Sequence, residues 1–224
     1  MGYLLIFAVF MIASWAIGAR LKSKFREYSK IPVNYNLSGK EVAEKMLYDN
    51  GITDVTVLSV DGELSDHYNP EKKTVNLSAD VYHGRSISSA AIAAHECGHA
   101  VQHANAYAWL QMRSALVPVV SFSSRWVQWI LLGGILMVNT FPQLLLAGIV
   151  LFALTTLFSF ITLPVEIDAS RRATAWLDGS GITSTVTLPK AEEALRLAAY
   201  TYVVAALASL ATLMYYIMIF LRRN

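Results

Sequence analysis

The sequence has 224 residues, of which 55% are hydrophobic and only 15% are charged, whereas about 25% charged residues are usual in a soluble domain. This composition excludes an intrinsically disordered chain, which needs low hydrophobicity and a high net charge. The net charge of +2 indicates no nucleic-acid partner, and the single cysteine excludes an intrachain disulfide.

Charged residues are missing from three long segments: 1–19, 126–165 and 197–221. One helical crossing of a bilayer takes about 20 apolar residues. The middle segment is therefore long enough for two crossings, and Asn139 and Pro142 favour a turn between them. The sequence predicts a mainly α, multi-pass membrane protein with four transmembrane helices, at 3–19, 118–138, 144–163 and 199–220.

The first span is expected to be a retained anchor, because its basic residues follow it, whereas in a cleaved signal peptide they precede the apolar stretch. They are Arg20, Lys22, Lys24, Arg26 and Lys30. By the positive-inside rule this cluster places segments 20–117 and 164–198 in the cytoplasm of a cell-membrane protein. Arg222 and Arg223, which follow the last span, favour the opposite orientation. Arg125 falls inside the second span, which indicates that this span begins later than residue 118.

Segment 20–117 has the charge balance of a globular domain, with eleven basic and eleven acidic residues. Ser38 and Glu41 fit a capping box, so a helix is expected from Ser38 to Asn50, ended by Gly51. Three strands are predicted at 55–60, 63–68 and 74–77. The Asp61-Gly62 turn signal and a second turn at 69–72 predict that they form a small antiparallel sheet.

An alanine-rich helix is predicted from about Ser86, and it contains the motif H-E-x-x-H at 95–99. Residues four apart share one face of a helix, so His95 and His99 can bind the same zinc ion. Glu96 lies beside such an ion and can take a proton from a water there, as a general base. The alternative is that the motif is two interior histidines and a solvated glutamate. Cys97 is expected to be a small packing residue that points away from the two histidines.

A catalytic zinc usually has three protein ligands, and three residues are candidates for the third. Glu166 is favoured because it begins a predicted short helix directly after the third span, where small residues would allow close approach to the motif helix. Two crossings separate segments 20–117 and 164–198, so both lie on one side of the membrane in either orientation. Asp168 and His103 are the alternatives, and His103 is better suited to support a ligand, because it lies about 80° around the helix from His95.

The predicted organisation has five parts: an anchor at 1–19, the domain with the H-E-x-x-H helix at 20–117, a transmembrane hairpin at 118–163, the Glu166 segment at 164–198 and a last transmembrane helix at 199–224. Four further residues are candidates for stabilising an oxyanion: Tyr82, His83, Arg171 and Arg172. His67 and Tyr68 lie on a predicted strand and are expected to be structural.

Three stretches carry a family resemblance: 66–70 (DHYNP), 94–103 (AHECGHAVQH) and 163–172 (LPVEIDASRR). With them the chain resembles, over nearly its whole length, the YugP-type neutral zinc metallopeptidases of bacterial membranes. The resemblance implies a small α+β, zincin-like domain and one Zn²⁺ per chain in a gluzincin-like site. His95, His99 and Glu166 would be its ligands and Glu96 its catalytic base.

The chain is more distantly similar to the HtpX and CAAX-prenyl endopeptidases. In that group an aspartate often stands four residues after the glutamate ligand and orients a histidine, and Ser170 occupies that position here. Another residue is therefore expected to orient the imidazoles, with Asp168, His103 and a backbone carbonyl as candidates.

The predicted function is metal-assisted hydrolysis of peptide bonds in protein or peptide substrates, membrane proteins included. An extended substrate could pair with an edge strand of the small sheet. Two alternatives belong to other classes. One is a zinc-binding membrane scaffold or chaperone-like adaptor without turnover. The other is a transporter, which the scarcity of polar residues within the spans disfavours.

Overall fold

The computed structural model describes residues 2–62 and 64–222. In chain order its elements are α1 Gly2–Tyr28, α2 Gly39–Asp49, β1 Thr56–Val60, β2 His67–Asn69, β3 Thr74–Ser78, α3 Ala79–His83, α4 Ile87–Ala104, α5 Ala108–Leu136, α6 Pro142–Gly179 and α7 Leu188–Leu221. The chain divides into two compact units. The apolar unit is Met1–Ala16, Gln111–Leu163 and Thr201–Asn224, and the mixed unit is Ile17–Leu110 and Pro164–Tyr200.

Four helices are long and apolar enough to cross a membrane: Leu5–Tyr28, Ala108–Leu136, Pro142–Gly179 and Leu188–Leu221. Their number confirms the predicted fold class, but each helix extends beyond the predicted span into charged sequence. The second helix begins at Ala108, ahead of the predicted start at 118, because the backbone continues as a helix through Pro118. Arg125 lies exposed on α5.

The apolar unit contains the predicted hairpin, which turns between Leu136 and Pro142. Val127 and Leu131 of α5 pack against Leu145 and Ile149 of α6. The two helices approach closely at Gly134, where a Cβ atom would lie 2.5 Å from the Cα of Leu145. Glycine permits this contact because it has no side chain, so the turn and the small residue together hold the two helices against each other.

In the mixed unit, α2 has the predicted boundaries. The Ser38 hydroxyl accepts from the Glu41 N–H, and the Glu41 carboxylate accepts from the Ser38 N–H, so the capping box is complete. The helix ends at Asp49, and Gly51 follows with a φ of +70°, a conformation that glycine adopts without strain. The apolar stripe of Val42, Met46 and Leu47 is buried in the core.

The sheet is mixed, and the prediction of an antiparallel sheet is wrong. Its strand order is β1-β3-β2, with β1 parallel to β3 and β2 antiparallel to β3. The chain does turn at Gly62, which has a φ of +102°. It then crosses to the far side of β3 and does not return along β1. The second strand is His67–Asn69, while the predicted one began at residue 63, which lies outside the described residues.

Two long helices carry the predicted site residues. The α4 helix starts after Ser86, whose hydroxyl accepts from the Ser89 N–H as an N-cap. The predicted separate helix at Glu166 is instead the last part of α6, which runs without interruption from Pro142 to Gly179. Pro164 removes one hydrogen-bond donor, yet the helix continues through it. Segments of α2, β3, α4, α6 and α7 share one hydrophobic core in the mixed unit.

Candidate metal centre

Helix α4 places two imidazoles side by side at one helical turn of separation. The rings of His95 and His99 have centroids 4.8 Å apart and meet at an interplanar angle of 82°. Both Nε2 atoms face the same carboxylate oxygen, Oε2 of Glu166, at 3.3 Å from His95 and 3.7 Å from His99. The helical spacing of the two histidines therefore produces the shared face that the motif predicted.

Helix α6 supplies the carboxylate. One ligand atom from each of His95, His99 and Glu166 lies within 4.8 Å of the others, so the three could hold a metal ion. Glu166 is 3% exposed and His99 is 8% exposed. Two imidazole nitrogens and one carboxylate oxygen are the donor set of many catalytic zinc sites, so the chemistry of these three side chains fits zinc.

The close approach of the two helices depends on small residues. A Cβ atom on Gly98 would lie 2.6 Å from the carbonyl oxygen of Ala169, so only glycine fits at this position. On α6, Ala169, Ala173 and Leu177 follow Glu166 along the same buried face. The sequence analysis expected small residues after Glu166 to allow this close approach to the motif helix.

A buried glutamine orients His99. The Gln102 side chain is fully buried, and its Nε2 donates to the carbonyl oxygen of Val165 at 2.7 Å and to Oδ2 of Asp168 at 2.9 Å. Because both of these partners only accept, the amide nitrogen must face them, and Oε1 faces Nδ1 of His99 at 3.0 Å. Nδ1 of His99 therefore donates, which leaves Nε2 as the ring nitrogen that faces Glu166. Nε2 donates to the carboxylate when it is protonated and offers its lone pair to a metal ion when it is not.

A serine contacts the other imidazole. Nδ1 of His95 and Oγ of Ser170 are joined by a hydrogen bond of 3.1 Å. The expectation that Ser170 has no part in orienting an imidazole is therefore wrong, since the hydroxyl reaches the ring from the position expected for an aspartate. Sequence reasoning missed Gln102 as well, although its position three residues after His99 on a helix was a usable signal.

Burial and charge act against each other on His99. Removal from water lowers the pKa of its imidazole. The hydrogen bond with Glu166 and the negative charges of Glu96 and Glu166 together raise that pKa by more than burial lowers it, so the net shift is upward. Glu96 is 8% exposed and follows His95 directly on α4. The site thus holds two carboxylates beside two imidazoles in a region that is largely closed to water.

Cys97 is fully buried, and burial raises the pKa of its thiol well above the ordinary value. Its Sγ lies 3.5 Å from the carbonyl oxygen of Ala43 on α2. A protonated thiol directed at another helix is a packing group, as expected.

The remaining candidates lie outside the three-residue cluster. His103 is exposed, and its Nδ1 hydrogen-bonds with Oη of Tyr68 at 2.8 Å, so this alternative ligand points at the sheet. Asp168 accepts from Gln102 and from Nε of Arg172, so it acts on His99 only through the glutamine. His83 is exposed with its ring against Tyr82. Arg171 is exposed and Arg172 is half-buried.

Comparison with known proteins agrees with this geometry. The chain matches the family described as "Putative neutral zinc metallopeptidase" over residues 3–221. The Bacillus subtilis (strain 168) protein named "Putative membrane protease YugP" is 41% identical over 217 residues, which cover 97% of this chain and 95% of that protein. No solved structure matches the chain. The match extends from the first apolar helix to the last, and it shows that this chain belongs to the "Putative neutral zinc metallopeptidase" family.

Proposed function

We propose that the protein is a membrane endopeptidase that hydrolyses peptide bonds at a gluzincin-like site with one zinc ion per chain. The observation that carries the proposal is the convergence of His95, His99 and Glu166 within 4.8 Å, with the buried Glu96 next to the first ligand. His95 and His99 would hold the ion through Nε2, and Glu166 through its carboxylate.

A zinc ion bound there would polarise the scissile carbonyl and make an adjacent water more acidic. The chain's own part in the chemistry is proton transfer. The Glu96 carboxylate accepts the proton of the attacking water and returns it to the nitrogen of the departing amine, as a general base and then a general acid. Gln102 and Ser170 hold the two imidazoles in the required orientation through their Nδ1 atoms.

Substitution of Glu96 tests this assignment. Glu96→Gln keeps the size of the side chain but cannot take the proton, so purified protein should lose cleavage by about a hundredfold or more while its zinc content is unchanged. Glu44→Gln is the matched control, because Glu44 is an exposed glutamate on α2 that pairs with the neighbouring Lys40. Zinc analysis and cleavage of a panel of membrane and soluble proteins provide the two measurements.

The two measurements separate the classes of function. Cleavage that survives in Glu96→Gln would rule out Glu96 as the base. The protein would be a zinc-binding scaffold if the wild type binds zinc but cleaves none of the tested proteins. In that case cells with the Glu96→Gln variant should have the same phenotype as cells with the wild-type protein. Protein without zinc after purification at neutral pH would contradict the ligand assignment itself.

We also propose that the site faces the cytoplasm of the cell membrane. The support comes from charge, since the basic residues between Arg20 and Lys30 follow the first apolar segment directly.

A further inference from the structure

A second feature of the mixed unit is a cavity of about 430 Å³ beside the last turns of α1, which we call the α1 cavity. Helix α1 forms one wall with Leu21 and Phe25, and the segment before β2 forms another with Leu64. The third wall is the first half of α4, which contributes Ser88 and Ile92. The cavity volume lies in the range of pockets that bind small molecules or side chains.

The α1 cavity and the candidate metal centre use the same face of α4. At 100° per residue, Ser88, Ile92, His95 and His99 all fall within about 60° of one another around the helix. Ile92 precedes His95 by three residues, a rise of about 4.5 Å along the axis. Ile92 and His95 are both half-buried, so this face is partly open at the boundary between the cavity and the centre.

The chemistry of the walls indicates the kind of group that fits. Leu21, Phe25 and Ile92 are partly buried apolar side chains that face the cavity. The lining also carries polar side chains of three kinds: the exposed cations Lys22 and Arg26, the carboxylates of Asp66 and Asp80, and the buried serines Ser78, Ser88 and Ser89. The apolar patch of Leu21, Phe25 and Ile92 suits an apolar side chain, and the polar lining around it suits the hydrated backbone of the same chain.

The position of the α1 wall adds a direction of approach. The wall begins at Gly18, at the end of the uncharged segment 1–19, and continues to Arg26 in the basic stretch. This part of α1 is where the helix passes from apolar to charged sequence, the usual level of a membrane surface. A polypeptide that runs along α1 would therefore reach the α4 face from the membrane side.

We propose that the α1 cavity binds an apolar side chain of the substrate polypeptide close to the scissile bond, so that the N-terminal helix is part of the substrate-binding surface. The proposal rests on the proposed function, because it places the substrate relative to the H-E-x-x-H residues. It assigns α1 a role in recognition beyond that of an anchor.

Gly18→Leu tests the proposal by filling the cavity. Gly18 lines the cavity, and a Cβ atom placed on it meets nothing within 4 Å, so a larger side chain can be added there without a clash at the Cβ atom. Gly179→Leu is the matched control, because Gly179 also has nothing within 4 Å and does not line the cavity. Gly18→Leu should raise KM for substrates with an apolar side chain near the cleaved bond about tenfold. Its kcat and zinc content should stay at the values of Gly179→Leu.

Photo-crosslinking gives a readout that does not need turnover. A short peptide with benzoylphenylalanine at its centre is irradiated with full-length Glu96→Gln protein in detergent, and the modified residues are mapped by mass spectrometry. Crosslinks should form at Leu21, Phe25 or Ile92, and they should fall severalfold when Gly18→Leu is added but not when Gly179→Leu is added.

The outcomes distinguish this proposal from the proposed function. Equal KM and equal crosslinking in the Gly18→Leu and Gly179→Leu proteins would overturn the assignment of the α1 cavity, even if the enzyme cleaves peptides. The opposite result is also informative. If Gly18→Leu removes crosslinks at the cavity but the wild-type protein cleaves no peptide, the binding site is supported and peptide hydrolysis is contradicted.

Discussion

At the scale of single residues, the orientation of the imidazoles depends on uncharged groups. The amide oxygen of Gln102 accepts from His99, and its amide nitrogen donates to Val165 and Asp168 of α6. The hydroxyl of Ser170 hydrogen-bonds with Nδ1 of His95. A neutral partner polarises an imidazole less than a carboxylate does. The fixed geometry of a buried, fully bonded amide is therefore what these residues contribute.

Gln102→Met measures that contribution. Methionine has a similar size, but it leaves Nδ1 of His99 and the carbonyl of Val165 without their partner in a buried place. Removing such an outer partner typically lowers metal affinity about 10- to 100-fold, and unsatisfied buried groups cost about 1–3 kcal/mol each. We expect weaker zinc retention against a graded chelator and a lower unfolding temperature.

The control for this change is Gln111→Met, because Gln111 is an exposed glutamine on α5. It should leave both measurements at the wild-type values. Equal zinc affinity in Gln102→Met and wild-type protein would mean that Gln102 only fills space in the core.

At the scale of helices, the centre depends on how closely α4 and α6 pack. Gly98→Ala would place a Cβ atom 2.6 Å from a backbone carbonyl of α6, which cannot rotate away as a side chain can. Overpacking of this kind costs about 1–3 kcal/mol, and it should also move Glu166 away from the histidines. We expect a lower unfolding temperature in detergent and weaker zinc binding.

Gly179→Ala gives the comparison within the same helix that carries Glu166. Its surroundings are empty within 4 Å, so the change should be neutral or slightly stabilising. If Gly98→Ala bound zinc as tightly as Gly179→Ala, the contact between Gly98 and Ala169 would not be what sets the distance from Glu166 to the histidines.

The elements that the sequence predicted well are those with local signals. Ser38, Glu41 and Gly51 define the ends of α2 through contacts within a few residues, and the four-residue spacing of His95 and His99 needs only the helix that contains them. The mixed sheet could not be predicted in this way, because the pairing of β1 with β3 depends on where the chain crosses after Gly62. Helix α6 continues through Pro164 because packing around it outweighs one lost hydrogen bond.

The residues that hydrogen-bond with the two imidazoles could not be predicted either, because these contacts depend on residues that are distant in sequence. Gln102 lies on the predicted helix, but its value as a partner depends on Val165 and Asp168, which are more than sixty residues away in sequence. Ser170 was discounted on the basis of its residue type. Only the distance between its hydroxyl and His95 reveals its contact.

At the scale of the whole molecule, the charge distribution predicts on which side of the membrane the candidate metal centre lies. Residues of 20–117 and 164–198 form the candidate centre, and segment 139–143 joins the two middle spans without any charge. The positive-inside rule then predicts that Asp61 lies in the cytoplasm and Thr140 outside. Both side chains are exposed, so each position is accessible to a reagent on its own side.

Cysteine labelling in intact cells tests this orientation with little background, because the native Cys97 is the single cysteine and is fully buried. A membrane-impermeant maleimide should label Thr140→Cys before lysis and Asp61→Cys only after lysis. The reverse pattern would place the H-E-x-x-H residues outside the cell and give more weight to the basic pair at 222–223 than to the cluster after α1. Labelling of both positions before lysis would contradict the crossing of the membrane between them, since two crossings with one turn must expose that turn on the opposite side.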